Sequence, residues 1–496
     1  MIENTDLLNY LFSENRIKCK KTGIFSKDPA PLPKDFDFDR IEGMLLGLAI
    51  GDSLGNTTES LLPEDRRDRF GVIKDYLPNQ YANNRTVGLP SDDTQMAFWT
   101  LEELIKDGGL VPDHLAKKFC SQQIFGIGST VRDFIRAYRE EGKPWHEAGQ
   151  PSAGNGALMR IAPILLPHLK KPSKALWADT VLASMVTHNE PASIACCVGF
   201  VHLLWGCLRV PKPSDVYGWI FNWNNGAESI DENAYYSSQN PSLPYHGTLS
   251  RFVFESTLKS AKEGQLLIQD SVDWYSGAYL LETMPTVLNI LSLIGNDPEQ
   301  AILQAVNNTK DNDTIAAIVG AAIGAVHGRS GLPKRWIENL LGRTSHNDDW
   351  RIFELIEDAK QAFWQADSLP SQYQIHKILE FKDYFQDPNF KVGQWKDRIG
   401  QETKYSYNSL INQFLQALKG NNFIIPDFDW ANWIEGNQLI DRPELLDVVG
   451  LQTIRKLLTT FVKKEKITEG FLAQIFENGL IVKILMRLKA LEYSVS

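Results

Sequence analysis

The chain has 496 residues, of which 43% are hydrophobic and 23% charged, and its formal net charge is -10. That length suits two to three domains, and the balance is that of a globular protein. The acidic total argues against an extended nucleic-acid backbone as the main partner, because that contact is driven by clustered Lys and Arg.

The start, Met1-Ile2-Glu3-Asn4-Thr5-Asp6, has neither the basic residues nor the apolar run of a signal peptide, and no uncharged apolar segment is expected to span a bilayer. Five cysteines without a CxxC pair read as reduced thiols, and the expected location is cytoplasmic. Residues 1–40 are polar, with Pro29, Pro31 and Pro33, and read as an arm or lid. From Ile41 to Gly55 the pattern is helical, with Gly43, Gly47, Gly51 and Gly55 at every fourth position. Glycine is a poor helix former, so the spacing predicts a bare ridge against which another helix packs closely. Ala316, Gly320, Gly324 and Gly328 repeat the ridge in the helix expected after Asp313. Tight contact between the two predicts that Asp52 and the stretch 311–314 lie at one end of a helical core.

Ser91-Asp92-Asp93-Thr94 precedes the helical pattern Gln95–Lys106, and Asp311-Asn312-Asp313-Thr314 opens the apolar run Ile315–Val326. Asp and Thr cap helix N-termini and suit the helix dipole, but two carboxylates one residue apart exceed what a cap needs. If the two starts meet, four carboxylates share a pocket, and either protons or a cation must relieve their repulsion. Oxygen-only ligands suit Mg²⁺, Mn²⁺ or Ca²⁺ over zinc.

Between these junctions lie the glycine-rich turn Phe125–Thr130, whose Gly126, Gly128 and Ser129 could offer N–H groups to phosphate, and the polar loop Ser152–Arg160. Ala175–Leu204 reads as a helical pair broken at Thr187–Pro191, and residues 210–250 as an irregular insertion. Helical periodicity is expected again from Thr257 to about Ala366. Few segments alternate with period two, so the expected fold class is all-α. The domains read as an arm over 1–40, a main domain over 41–345, connecting helices and linker over 346–389, and a small, mainly helical domain over 390–496. In the last of these, Tyr405–Lys419 and Leu451–Leu491 carry amphipathic helical patterns.

Five stretches in order resemble the ADP-ribosylglycohydrolase family: Gly47–Gly55, Ser91–Thr94, Gly154–Arg160, Thr187-His188 and Asp311–Thr314. The resemblance covers about residues 41–345 and implies an orthogonal helical bundle with two Mg²⁺ ions in a central cleft, Mn²⁺ being the alternative metal. It implies Ser91, Asp92, Asp93, Asp311, Asp313 and Thr314 as metal ligands, with Ser91 standing where Thr is usual. Glu59 matches a catalytic glutamate on a loop, and Asp92 and Asp93 are further candidates for proton transfer. Ser152, Gly154, Asn155 and Gly156 match a loop that cradles ADP-ribose, and His188 matches a substrate contact. The stretch Asp273–Tyr279, with Tyr279, falls where the family lines its cleft.

The activity so implied is Mg²⁺-dependent cleavage of the glycosidic bond between ADP-ribose and a modified protein, arginine being the favoured acceptor and free ADP-ribose the product. Serine-, nucleobase- or O-acyl-linked ADP-ribose are alternative substrates. The rival class is an immunity or binding protein whose terminal extensions block an ADP-ribosylating toxin.

Overall fold

The computed structural model describes residues 3–209, 218–268, 274–364, 369–398, 401–425 and 428–492. Asp273 and part of the linker around Asp367 lie outside them. The protein is mainly helical, and its chain divides into two compact units, Met1–Asn347 with Ala362–Trp364, and Asp348–Gln361 with Gln365–Ser496.

The first unit is built on two helices, Asp39–Gly55 and Asn312–His327, each buried on nearly every side. They run antiparallel, so that Gly43 faces Gly324 and Gly328, Gly47 faces Gly320, Gly51 faces Ala316, and Gly55 faces Asn312 and Asp313. A Cβ placed on Gly47 would lie 2.1 Å from the carbonyl oxygen of Gly320, and one on Gly320 would lie 2.0 Å from that of Gly47. No side chain fits there; the glycines' poor helix propensity is offset by backbone contact along the whole length. Both acidic starts and the carboxyl end of the first glycine helix therefore lie at one end of the pair.

The Pro191–Arg209 helix is long and apolar enough to cross a membrane by length and composition, contrary to the sequence expectation. Most of it is buried inside the unit, which is the environment of a core helix. Residues 3–38 are not a free arm: Leu8, Leu11, Ile17 and Phe38 are buried, Asn4 Nδ2 donates to Asp179 Oδ1, and Trp205 Nε1 donates to the Ala30 carbonyl. The insertion expected after residue 210 is more regular than its composition suggests. It holds the helix Gly218–Ala227 and a hairpin pairing Ala234–Tyr236 with Tyr245–Gly247, and the next helix starts at Leu249. Gly199 and Gly226 let Trp223 and His202 pack at van der Waals range, a pairing hidden by the loop-like run of Asn and Trp.

The second unit begins before the expected boundary near 390, because most of the helix Arg351–Phe363 and all of Gln372–Leu379 belong to it. Its helices Ser409–Gly420, Leu451–Glu465 and Leu480–Glu492 bury Phe414, Leu457, Leu458, Ile484 and Leu488. Phe385 meets the rings of Phe414 and Phe476 at 5.2 and 4.9 Å. An antiparallel hairpin, Gly393–Arg398 with Gln401–Tyr407, replaces the start of the helix expected from Tyr405. Trp395 and Tyr405 pair edge to face across it, as aromatic residues favour in strands.

Candidate active site

Asp52, in the last turn of the first glycine helix, is fully buried and organises the start of the helix Asp92–Asp107. Its carboxylate accepts from the Ser91 N–H at 2.9 Å, Ser91 Oγ at 2.7 Å, the Thr94 N–H at 3.1 Å, Thr94 Oγ1 at 2.6 Å and Asn56 Nδ2 at 3.0 Å. An acid from another helix thus accepts from the Ser91 and Thr94 N–H groups at this N-terminus, and Ser91 makes no side-chain cap of its own.

Two groups of carboxylates form around it. Asp52, Asp93 and Asp313 bring one oxygen each within 4.8 Å of one another, and Glu59, Asp311 and Asp313 do the same. Asp313 is common to both, so the two acidic motifs share one site. The Thr314 hydroxyl lies near Asp93 and Asp311 and lowers the pKa of each, and the Thr314 N–H donates to Asp313 Oδ1 at 2.9 Å. Asp92 belongs to neither group; it is half-buried, with its Oδ1 beside Gly126. Burial pushes Asp92, Asp93 and Asp313 well above the usual carboxylate range, and repulsion among the acids adds to it. Asp93 Oδ1 is buried with no hydrogen-bond donor among the described residues. An orphan carboxylate oxygen among crowded acids fits a hard divalent cation, which supplies the missing charge and coordination.

Glu59 stands at the exposed rim, with its backbone carbonyl accepting from Lys310 Nζ at 3.3 Å. Its loop is held from beneath by Arg66, which is fully buried and donates to Thr58 Oγ1 and to the carbonyls of Thr58, Leu61, Asn307 and Thr309. Asn312 Nδ2 adds contacts to the Gly55 carbonyl and Thr58 Oγ1. The sequence reading missed Arg66, since Pro63–Phe70 is so charged that every position in it looks solvated.

The far wall is the segment 150–156. Asn155 N–H donates to the Ala278 carbonyl, and Leu280 N–H to that of Ala153, so Gly154 pairs with Tyr279. The Asn155 amide Nδ2 donates to Asp311 Oδ2 at 2.6 Å and to Thr283 Oγ1 at 3.1 Å, using both N–H groups. Ser152 Oγ lies 3.0 Å from Thr130 Oγ1 and accepts from the Gly154 N–H. Gly128 precedes the short helix that begins at Ser129, and Gly126 has φ +68°. A Cβ built on Gly126 would lie 3.2 Å from Asp92 Oδ1, whereas one on Gly128 would meet nothing within 4 Å. His188 is buried behind Gly154 and Gly156.

A family model described as ADP-ribosylglycohydrolase matches residues 33–369, more than half of the chain. The chain belongs to that family. Residues 370–494 match a second family, of unknown function, DUF6508. Within the ADP-ribosylglycohydrolase family, the chain is similar to ADP-ribosylarginine hydrolase Tri1 of Serratia proteamaculans, 28% identical over 68% of this chain and 82% of the relative. Tri1 of Pseudomonas putida is 27% identical, over 61% and 74%. The ADP-ribosyl-dinitrogen reductase glycohydrolase of Rhodospirillum rubrum is 28% identical, over 61% and 90%.

Proposed function

We propose that this glycohydrolase removes ADP-ribose from a modified arginine side chain of a protein, with two Mg²⁺ ions held by Ser91, Asp92, Asp93, Asp311, Asp313 and Thr314. The observation that carries the reading is the donor-less Asp93 Oδ1 at the junction of two carboxylate groups that share Asp313. The similarity to arginine hydrolases supports the acceptor. Divalent ions there supply positive charge that draws in ribose hydroxyls and acidifies water.

The chain's own groups then have separate tasks. Asp52 fixes the Asp92 helix start through four hydrogen-bond donors of Ser91 and Thr94, and Asn155 fixes Asp311, so the acids keep their directions as substrate enters. Glu59, on the rim and able to exchange protons with solvent, takes the water's proton on a carboxylate oxygen as the water oxygen bonds to the anomeric carbon and the bond to the arginine nitrogen breaks, its electron pair leaving with the guanidine. Ser152, the Gly128–Ser129 N–H groups and the Gly154–Gly156 backbone beside His188 are offered to the ADP-ribosyl group. The rival reading, an extension that blocks a toxin, has no support in residues 3–38, which are packed into the first unit.

The test is release of ADP-ribose from an arginine-ADP-ribosylated protein, with Mg²⁺ and with EDTA, beside a serine-linked control. Metal-dependent release from the arginine substrate alone is expected. No release from either, with the protein folded, would remove the proposal.

A further inference from the structure

Arg160 is a cation buried in the core without a carboxylate partner among the described residues. Its guanidinium lies over the Phe119 ring, 4.7 Å from the centroid, and its Nε and Nη1 find no acceptor among the described residues. The two protons on Nη2 go to the Ala183 carbonyl at 3.0 Å and to Thr187 Oγ1 at 2.7 Å. Thr187 Oγ1 in turn lies 2.9 Å from His188 Nδ1. Direction follows from donor chemistry. Arginine cannot accept, so Thr187 receives from Arg160, and the acceptor within reach of its own hydroxyl proton is Nδ1. A neutral imidazole with an occupied Nδ1 lone pair carries its proton on Nε2. That nitrogen has no partner among the described residues and is aimed at Gly154 and Gly156, whose built Cβ atoms would stand 3.7 and 3.3 Å from it.

We infer that Arg160 and Thr187 are positioning residues that hold His188 in one tautomer, so that its Nε2–H is presented between Gly154 and Gly156 to an oxygen acceptor of the ADP-ribosyl group. The inference rests on the proposed substrate and deepens it. Burial, and after it the Arg160 charge, keep the imidazole neutral down to about pH 3, so no proton arrives at Nδ1 to reverse the chain. An unpaired core cation is costly, and directional control of a site donor gives it a role that packing against Phe119 does not. The glycines complete the geometry, because any side chain at 154 or 156 would fill the space the Nε2–H faces.

The test is ¹⁵N NMR of histidine-labelled full-length protein, with H188Q used to assign the signal, together with calorimetric binding of free ADP-ribose. In the wild type, His188 is expected to show a protonated Nε2 and a bare Nδ1, unchanged from pH 5 to 8. T187V is expected to populate the other tautomer and weaken ADP-ribose about tenfold, and T187S to restore both. Thr187 is chosen because Arg160 variants risk misfolding. A proton on Nδ1 in the wild type overturns the inference. So does T187V with an unchanged tautomer, whatever its affinity, or with a changed tautomer and affinity within twofold. If the wild type shows the expected tautomer but binds no ADP-ribose, the substrate reading fails and the hydrogen-bond chain stands.

Discussion

Single residues at the carboxylate cluster separate into those that hold a shape and those that face the ligand. Asp52 is of the first kind. Each of its oxygens accepts from N–H and O–H groups of Ser91, Thr94 or Asn56, so an amide in its place turns an N–H against a donor whichever way it sits. D52N is therefore expected to cost about 2–3 kcal/mol, read by denaturant unfolding; a loss below about 0.5 kcal/mol would remove Asp52's capping role. Asp313, common to both groups of acids, is of the second kind in the proposed reading. D313A is expected to lower kcat/KM at least about 100-fold, and a rise in melting temperature with Mg²⁺ is expected for the wild type and not for D313A. Undiminished hydrolysis would end the assignment.

At the level of helices, the glycine pair decides whether those residues meet at all. Gly47 approaches Gly320 so closely that a methyl group must push backbone, which cannot rotate away as a side chain does. G47A is expected to destabilise by about 3 kcal/mol or more and to reduce hydrolysis by spreading the two acidic ends. G109A is the control, because nothing lies within 4 Å of its built Cβ. Equal melting temperatures for the two variants would contradict the packing argument. This contact was legible in the sequence, since glycines at every fourth position strip one helix face of side chains, and it led to the proximity of Asp52 and Asp313. Arg66 and the Arg160–Thr187–His188 chain were not legible. Their roles rest on which of several similar polar residues turns inward, a choice made by tertiary packing and not by local pattern. The same limit hid the Gly393–Tyr407 hairpin, where alternation is short and the strands gain most of their stability from the aromatic side chains between them.

Across the whole chain, the two units have separate cores, and the second carries a titrating group of its own. Glu354 is buried, and its side chain accepts from the Gly450 N–H at the start of the helix Leu451–Glu465 and from Trp350 Nε1 at 3.1 Å. Those donors, with Thr453, favour the carboxylate, but burial outweighs them and Asp358 repels it, so the carboxyl is pushed up to about 7. Because this lies above the ordinary 4.5, the folded unit binds a proton that the unfolded chain releases between those values. The stabilisation is complete below the unfolded value and is lost as pH rises through about 7, a span worth about 3 kcal/mol. Hydrogen-exchange protection of Leu451–Glu465, corrected for intrinsic rates, is thus expected to fall between pH 5 and pH 8. E354Q should flatten that profile, although its amide must place one N–H near donors and so lowers stability at pH 5. A wild-type profile that stays level across this range would mean that Glu354 is ionised in the folded protein and that its hydrogen bonds outweigh its burial.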